Sequence, residues 1–365
     1  MWYRTALIIG SDERSEIYAN DTDEGLVTTG FFNPPSMAFL LWPLAQLEYR
    51  DARTAFLLLS LVGTAGLLAV CWQLGVRGLT FLLATLALAT FWPLYIALGY
   101  SHPTPIYALL IAVALLELES KAVGSAGGFV GLIALKPSLF AAPFGYLLWK
   151  RQWEPLITAS AIAAVLFFAP FLLLGLGAFQ DFREMTSALT TDAFEWLDTE
   201  VSVGAWGVLN WNGFVASLTL AAPPVVLIVL LDLVTVALTL RVWSKGTLRE
   251  SWLAGVAAMV LILPHLVVYD WLVLFVPAMA VVAERRTPVL IALLVLVHFT
   301  TNFSVYVLPY FYASFGEDEI RGIRDLGGYW AIPALFLLLV YLAFRDKIEA
   351  RFQGVSRERE LAPSP

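Results

Sequence analysis

Apolar stretches of about 20 residues recur along this chain, and their length most constrains what it can fold into. The clearest runs are residues 54–74, 79–98, 155–176 and 223–243. An α-helix of about 20 apolar residues crosses the hydrocarbon core of a bilayer. Hydrophobic residues make up 59% of the chain and charged residues 14%, against roughly 45–50% and about 25% in soluble domains. We therefore predict an all-α, polytopic membrane protein.

Other apolar stretches are too short or too interrupted to cross a membrane as one helix. Residues 34–47 and 206–222 are predicted to be short, re-entrant pieces. The run 122–149 is interrupted by Leu135-Lys136-Pro137-Ser138, which predicts two short helices with Lys136 at their junction. Pro264-His265 separates two further apolar pieces, residues 252–263 and 266–283. We expect short re-entrant or broken helices beside the longer spans.

The distribution of Lys and Arg predicts which loops face the cytoplasm, because basic residues beside short loops mark that side. The inner set comprises Arg77, Lys121, Lys150, Arg151, Arg241, Lys245, Arg249, Arg285, Arg286 and the basic residues of the tail. Residues 1–35 then form an acidic outer loop. Residues 36–345 form the transmembrane domain, with outer loops 177–205 and 304–328. Residues 346–365 form a charged, frayed cytoplasmic tail.

This topology places most of the unusual polar residues on the outer face, so we expect a site there in a multi-pass protein of the plasma or inner membrane. Residues 1–10 are too short an apolar segment to carry the acidic loop across the bilayer. Either the acidic loop is cytoplasmic and this topology fails, or an anchor helix lies upstream of Met1. We expect the second, with the outer loop 1–35 N-terminally truncated.

Several functional classes are disfavoured by the sequence. The net charge is −7 and no basic stripe is present, so we expect no nucleic-acid partner. The single cysteine, Cys71, excludes an intramolecular disulfide and a cysteine-rich metal site. The chain has no phosphate-binding glycine loop, no paired-cysteine zinc pattern and no nucleophile elbow. These features argue against a nucleotide-driven cytoplasmic enzyme.

Two polar positions beside proline breaks are the main candidates for chemistry. Lys136 is either a lysine that extends to the interface or a cation that holds a phosphate or pyrophosphate. His265 and Asp270 are either a buried pair that stabilises a bend or a proton carrier and carboxylate that line a cavity.

The remaining candidates are open to both structural and functional interpretations. His102 either orients a ligand or caps a helix at the interface, and Asp12 belongs either to a solvated acidic face or to a catalytic loop. Asp232 lies alone in a predicted span. Packing against a polar neighbour and a functional role explain this position equally well. His298 is interpreted as a core histidine with satisfied hydrogen bonds.

The order of several short motifs resembles the integral-membrane glycosyltransferase 87 family. The motifs are Trp2-Tyr3, Ile17-Tyr18, Gly30-Phe31-Phe32-Asn33-Pro34-Pro35, Gly99-Tyr100-Ser101-His102-Pro103, Leu135-Lys136-Pro137, Trp149-Lys150-Arg151 and Pro264-His265…Tyr269-Asp270. The resemblance extends from Trp2 to about residue 285. The second family motif usually reads Gly-Gln-x-Asn, and its replacement here by Gly99-Tyr100-Ser101-His102 leaves donor and acceptor preference open.

The resemblance implies an enzyme with a C-type glycosyltransferase fold. It would transfer a sugar, with mannose favoured, from a polyprenyl-phosphate donor to a lipid or glycan acceptor. It places the general-base aspartate a few residues before Trp2, hence upstream of Met1, with Asp12 as the fallback. Lys136 and a protonated His265 or His102 would stabilise the leaving phosphate, and Asp270 would orient His265 or bind the sugar. Tyr100, Asn33 and Tyr269 complete the expected substrate-binding set. The reaction is expected to be metal-independent or weakly assisted by a divalent cation.

Three other classes compete with this interpretation. A transporter or flippase for a lipid-linked or anionic solute would show inverted repeats and paired broken helices. The chain has two broken elements, around Lys136 and Pro264, without matching halves. A catalytically impaired homologue or membrane scaffold follows if the catalytic aspartate is lost. An O-antigen-ligase-like enzyme would use arginines in a large outer loop, where this chain has few.

Overall fold

The computed structural model describes residues 2–9, 11, 34–191, 209–219, 223–263, 266–306 and 330–361. Within those ranges the regular elements are all helices. They are α1 Trp2–Ile9, α2 Ser36–Ala45, α3 Tyr49–Gln73, α4 Gly78–Ala89, α5 Trp92–Gly99, α6 Thr104–Glu119, α7 Val123–Ile133, α8 Pro137–Trp149, α9 Trp153–Leu174, α10 Leu176–Thr191, α11 Trp211–Thr219, α12 Val225–Lys245, α13 Leu248–Ile262, a 3-10 helix Val268–Leu274, α14 Phe275–Glu284, α15 Pro288–Tyr306 and α16 Ala331–Leu361.

Three of the described helices, α3, α9 and α12, are long and apolar enough to cross a membrane, and the bent pair α4–α5 is a fourth if counted as one span. Much of the surface of these helices is apolar and exposed, for example Val62, Leu172 and Val226. Such surface suits lipid contact rather than water. The prediction of an all-α polytopic membrane protein is confirmed.

The predicted span 79–98 is not continuous, because α4 and α5 meet at an angle of 47°. The break at Thr90-Phe91 is held from α15. The side chain of Asn302 accepts the backbone N–H of Trp92 at 2.7 Å and donates to His298 Nε2 at 2.9 Å. Thr90 Oγ1 lies 3.1 Å from the same histidine nitrogen. His298 is thus a structural histidine with satisfied partners, as predicted.

Other element boundaries differ from the sequence-based prediction. The first half of the predicted outer loop 177–205 is helical, since α10 runs from Leu176 to Thr191. The tail is not a frayed segment from residue 345, because α16 continues to Leu361. The two halves of the predicted 122–149 hairpin are confirmed as α7 and α8. Residues 34–47 and 206–222 contain the short helices α2 and α11.

Glycines allow two helix pairs to approach closely. A Cβ on Gly127 of α7 would lie 2.7 Å from Pro155 Cα of α9, and one on Gly131 would lie 2.7 Å from Ile162 Cβ. On α3, a Cβ on Gly63 would lie 3.3 Å from the Pro105 carbonyl of α6. Small residues at such crossings permit backbone contact between membrane helices.

The polar residues of the bundle gather at two opposite ends of the same helices. Helices α6, α8 and α13 have 16, 13 and 15 residues, hence lengths of roughly 20–24 Å at 1.5 Å per residue. The N-terminal ends of α6 and α8 carry Thr104 and Lys136, and we call this the site end. Their C-terminal ends carry Glu119 and Lys150, and we call this the basic end.

Charged contacts at the basic end join residues that the sequence assigns to the cytoplasmic side. The Arg249 guanidinium pairs with both carboxylate oxygens of Glu119, at 2.5 and 2.8 Å. Glu250 is buried and pairs with Arg285 at 2.9 Å and with Arg345. Grouping of the inner basic residues at one end is what the charge pattern predicts, whereas the cellular side that each end faces stays a prediction.

Candidate functional site

Lys136 is fixed at the site end by the break between α7 and α8. It is the N-cap residue of α8, with extended backbone angles φ −126° and ψ 91°, and Pro137 follows in the first helical turn. A residue before proline is disfavoured in the helical region, which accounts for the break at this position. The Lys136 side chain points into the protein and is only 7% exposed. A buried ammonium group needs an ionic partner.

Asp270 supplies that partner from the 3-10 helix between α13 and α14. Its Oδ1 lies 2.5 Å from Lys136 Nζ, and the residue is fully buried. Its Oδ2 accepts the backbone N–H of Val267 at 3.2 Å, which caps the 3-10 helix. Asp270 therefore holds the loop conformation and the lysine charge at the same time.

A hydrogen-bonded chain connects this ion pair to His102. Thr104 Oγ1 donates to Asp270 Oδ1 at 3.2 Å and lies 2.7 Å from His102 Nδ1. Because the threonine proton is directed to Asp270, His102 Nδ1–H must be the donor to Thr104. Burial, and next the charge of Lys136, lower the pKa of His102 well below its usual value. His102, in the turn between α5 and α6, is therefore neutral at pH 7.

Two tyrosines lie beside this chain of polar groups. The rings of Tyr269 and His102 have centroids 4.0 Å apart and an interplanar angle of 31°. Lys136 Nζ lies 5.2 Å from the Tyr269 ring centroid, within the range of a cation–π contact. Tyr100, two residues before His102 in the same turn, is 71% exposed. Aromatic faces, a cation and buried hydrogen-bonding groups thus lie together.

The segment before α11 holds the loop that carries Asp270. The Asn210 side chain donates to the Leu263 carbonyl at 3.0 Å, and Trp271 Nε1 donates to the Leu209 carbonyl at 3.2 Å. These two bonds flank the loop on both sides. Sequence reasoning did not single out Thr104, Asn210 or Trp271. Thr104 follows His102 in the break that the sequence does show, whereas nothing local marks Asn210 or Trp271.

Most residues of this site lie within a region of the chain that matches a known protein family. The family model described as Glycosyltransferase family 87 matches residues 31–269, which is more than half of the chain. The matched range includes Tyr100, His102, Lys136 and Tyr269, and it ends one residue before Asp270. This chain belongs to glycosyltransferase family 87. No curated protein and no solved structure matches it.

Membership of family 87 makes the chain a membrane glycosyltransferase, which acts on a sugar donor and an acceptor. Five of its predicted site residues, Tyr100, His102, Lys136, Tyr269 and Asp270, come together at the site end. Asp12, Asn33 and His265 lie outside the described residues. Asp232 lies on α12, with one carboxylate oxygen buried.

The described contacts bear on two roles expected for this glycosyltransferase. A protonated His265 or His102 was expected to stabilise a leaving phosphate; burial, and next the charge of Lys136, lower the pKa of His102 well below its usual value. Asp270 was expected to orient His265 or to bind the sugar. Its partners among the described residues are Lys136, Thr104 and Val267, and His265 lies outside those residues. Lys136 is therefore the cation that the described part of the site offers.

Two cavities formed by described residues lie apart from this site. The larger, of about 390 Å³, is lined by Gly145, Trp149, Arg151 and Trp243, and it lies at the C-terminal end of α8, opposite Lys136. Among the described residues, no three His, Cys, Asp or Glu side chains lie together as a metal site would need.

Proposed function

We propose that this family 87 protein transfers a hexose from a polyprenyl-phosphate donor to a hydroxyl group of a lipid or glycan acceptor. Mannose is the favoured sugar. The reaction is proposed to take place on the outer face of the cell membrane, in a C-type glycosyltransferase fold. The observation that carries the proposal is the buried Lys136–Asp270 pair, with Thr104 and His102 behind it, at one end of membrane helices.

The proposed chemistry is a single inverting displacement. The acceptor oxygen bonds to the anomeric carbon as the bond from that carbon to the phosphate oxygen breaks. The bonding electron pair leaves with the lipid phosphate, and a carboxylate base takes the acceptor proton. Asp12 stays the candidate for this base within the present sequence.

Lys136 is proposed to stabilise the charge that develops on the leaving phosphate. A fixed cation in a water-poor site favours such a transition state far more than a cation in water does. Asp270 is a positioning residue in this scheme, because its buried carboxylate pairs with the Lys136 ammonium group and fixes the direction in which the lysine side chain points. Thr104 fills the remaining lone pair of the same carboxylate oxygen.

The aromatic groups are proposed to bind the sugar. The rings of Tyr269 and His102 are in contact at a tilt of 31°, and Tyr100, two residues before His102, is exposed. Aromatic rings offer apolar faces with polar edges, which suits the C–H and O–H faces of a hexose. A neutral His102 can form hydrogen bonds without repelling Lys136.

A lipid-linked donor suits the position of the site at the end of apolar helices. The exposed surfaces of α3, α9 and α12 are rich in Leu and Val, so the surrounding medium is proposed to be lipid. A polyprenyl chain then stays in the bilayer while its phosphate reaches Lys136. The same charge pattern that groups the inner basic residues supports an outward-facing site.

The test is transfer by the purified full chain in liposomes. Radiolabelled polyprenyl-phosphate mannose is supplied with extracted membrane lipids and glycans as acceptors, and the label is followed into products. We expect label to move from the carrier into product, and no transfer from a sugar nucleotide. Movement of intact donor between leaflets without a new product would support a flippase instead.

A further inference from the structure

A second polar cavity lies at the basic end of the protein, away from the candidate site. It has a volume of about 170 Å³ and lies between the last turn of α12 and residues 342–347 of α16. A water molecule takes up about 30 Å³ of liquid, so a phosphate group with a few waters fits. Its lining includes four basic side chains and one carboxylate, namely Arg241, Lys245, Arg345, Lys347 and Asp346.

The two arginines build the cavity by joining its walls. Arg241 Nε donates to the Ala343 carbonyl at 2.7 Å, and its guanidinium lies 4.6 Å from the Phe344 ring centroid. Arg345 pairs with buried Glu250 and with Asp346. These contacts tie α16 to α12 and α13, so the cavity has fixed walls.

The two lysines supply the charge that a ligand meets. Lys245 ends α12 and Lys347 lies on α16, and both are exposed. The pKa of Asp346 is held below its usual value, first by the hydrogen bond from Arg345 and further by the charges of Arg345, Arg285 and Lys245. The cations therefore converge on one small volume, where they outnumber the carboxylates.

The cavity is placed where lipid headgroups lie. Helix α12 is long and apolar enough to cross a membrane, and its Val226 and Leu233 are exposed. Its basic end therefore marks a membrane surface. Apolar Val242, Leu342 and Phe344 share the cavity lining with the basic groups. Basic pockets between membrane helices are known to bind anionic headgroups.

We propose that this cavity binds the phosphate of an anionic phospholipid headgroup. The apolar lining and the neighbouring lipid-facing surface favour a lipid over a free phosphate ion. The site is separated from the Lys136 cluster by roughly the 20–24 Å length of α6 or α8, so the proposal does not depend on the transfer reaction.

The probe is phosphatidylglycerol, titrated onto the purified full chain in detergent and counted by native mass spectrometry, with phosphatidylcholine as the zwitterionic comparison. The test variant is Lys245→Gln/Lys347→Gln. The matched control, Lys121→Gln/Arg286→Gln, removes the same charge from exposed residues that do not line the cavity. Lys347→Gln alone is the reserve variant if the double variant does not fold.

We expect phosphatidylglycerol to be retained over phosphatidylcholine, with binding weakened at least about tenfold in the test variant and about fivefold in Lys347→Gln. The control pair should bind as the wild type does. Equal retention by the test variant, or equal loss in the control pair, contradicts the proposal. Displacement of the lipid by millimolar inorganic phosphate would show a free-anion site and also overturn it.

Discussion

Lys136 and Asp270 are 134 residues apart in the chain, yet their side chains form a buried ion pair with Nζ and Oδ1 2.5 Å apart. The pair joins the α7–α8 break to the loop before α14. Either charge would be unfavourable if it were buried alone. Each residue compensates the charge of the other, and Asp270 also accepts hydrogen bonds from Thr104 and from the Val267 N–H. The site thus depends on two breaks in the bundle that meet at one end.

The first prediction concerns the coupling between these two residues. Lys136→Met or Asp270→Asn alone removes one member of the buried pair, which should cost about 3–5 kcal/mol. The double variant Lys136→Met/Asp270→Asn should recover most of that loss, since the amide oxygen of the introduced asparagine can still accept the Val267 N–H. Thermal unfolding of the four proteins in detergent gives the double-mutant cycle. Additive losses would contradict a direct pair.

The second prediction concerns acid stability. The His102 pKa is lower in the folded protein than in the unfolded chain, so the unfolded state binds the extra proton first. Stability contributed by neutral His102 is fully present above about pH 6.5 and is lost as pH falls below it. Among the described residues, the charged and titratable groups near His102 include Lys136, Asp270 and Tyr269.

His102→Asn should therefore reduce the loss of melting temperature between about pH 6.5 and 5. The comparison is made in one detergent at constant ionic strength, with wild type and variant side by side. His265 and His298 remain in both proteins, so they act equally on both curves. An unchanged acid dependence in His102→Asn would show that His102 is not buried in its neutral form.

The third prediction concerns the crossing of α7 and α9. An added Cβ on Gly127 would lie 2.7 and 2.9 Å from Pro155 Cα and carbonyl carbon, whereas on Gly128 the nearest atom is Ile162 Cδ1 at 3.9 Å. Gly127→Ala should therefore destabilise the protein by about 1–3 kcal/mol. Gly128→Ala should be neutral or stabilise it by up to about 1 kcal/mol through helix propensity. Thermal melting of both variants measures this difference. Equal changes in melting temperature for Gly127→Ala and Gly128→Ala would contradict the close crossing of α7 and α9.

The fourth prediction concerns the buried carboxylate at the basic end. Glu250 caps α13 with Thr247 and pairs with Arg285 and Arg345. Glu250→Gln should cost roughly 1–3 kcal/mol, less than a fully buried pair because the arginines are partly exposed. Asp346 also pairs with Arg345 but its side chain is 82% exposed. Asp346→Asn should stay within about 0.5 kcal/mol of wild type, and a similar loss in both variants would argue against the burial of Glu250.

Local sequence predicted the breaks better than it predicted the contacts between them. Proline and the flanking apolar runs mark the Lys136 junction and the Pro264–Asp270 bend, and the positions of Lys and Arg place both at one end. The Lys136–Asp270 pair could not be read from sequence, because His265 is a nearer candidate partner for Asp270. Thr104 was also missed, since a single hydroxyl in an apolar stretch carries no pattern.

The bend between α4 and α5 was missed, although one residue in the sequence marks it. Pro93 lies in the first turn of α5 and cannot donate a backbone hydrogen bond to the preceding turn. The break is also stabilised from α15, 208 and 210 residues away, by His298 and Asn302. Contacts of this range depend on the fold rather than on local propensity.

Transfer by the double variant Lys136→Met/Asp270→Asn is the measurement that most directly tests the proposed site. Lys150→Met is the matched control, since Lys150 directly follows α8 at its opposite end. With radiolabelled polyprenyl-phosphate mannose, we predict that the folded double variant transfers the sugar at least about a hundredfold more slowly than the wild type. Lys150→Met should retain the wild-type transfer rate. Full transfer by the folded double variant would contradict the assignment of this pair to the active site.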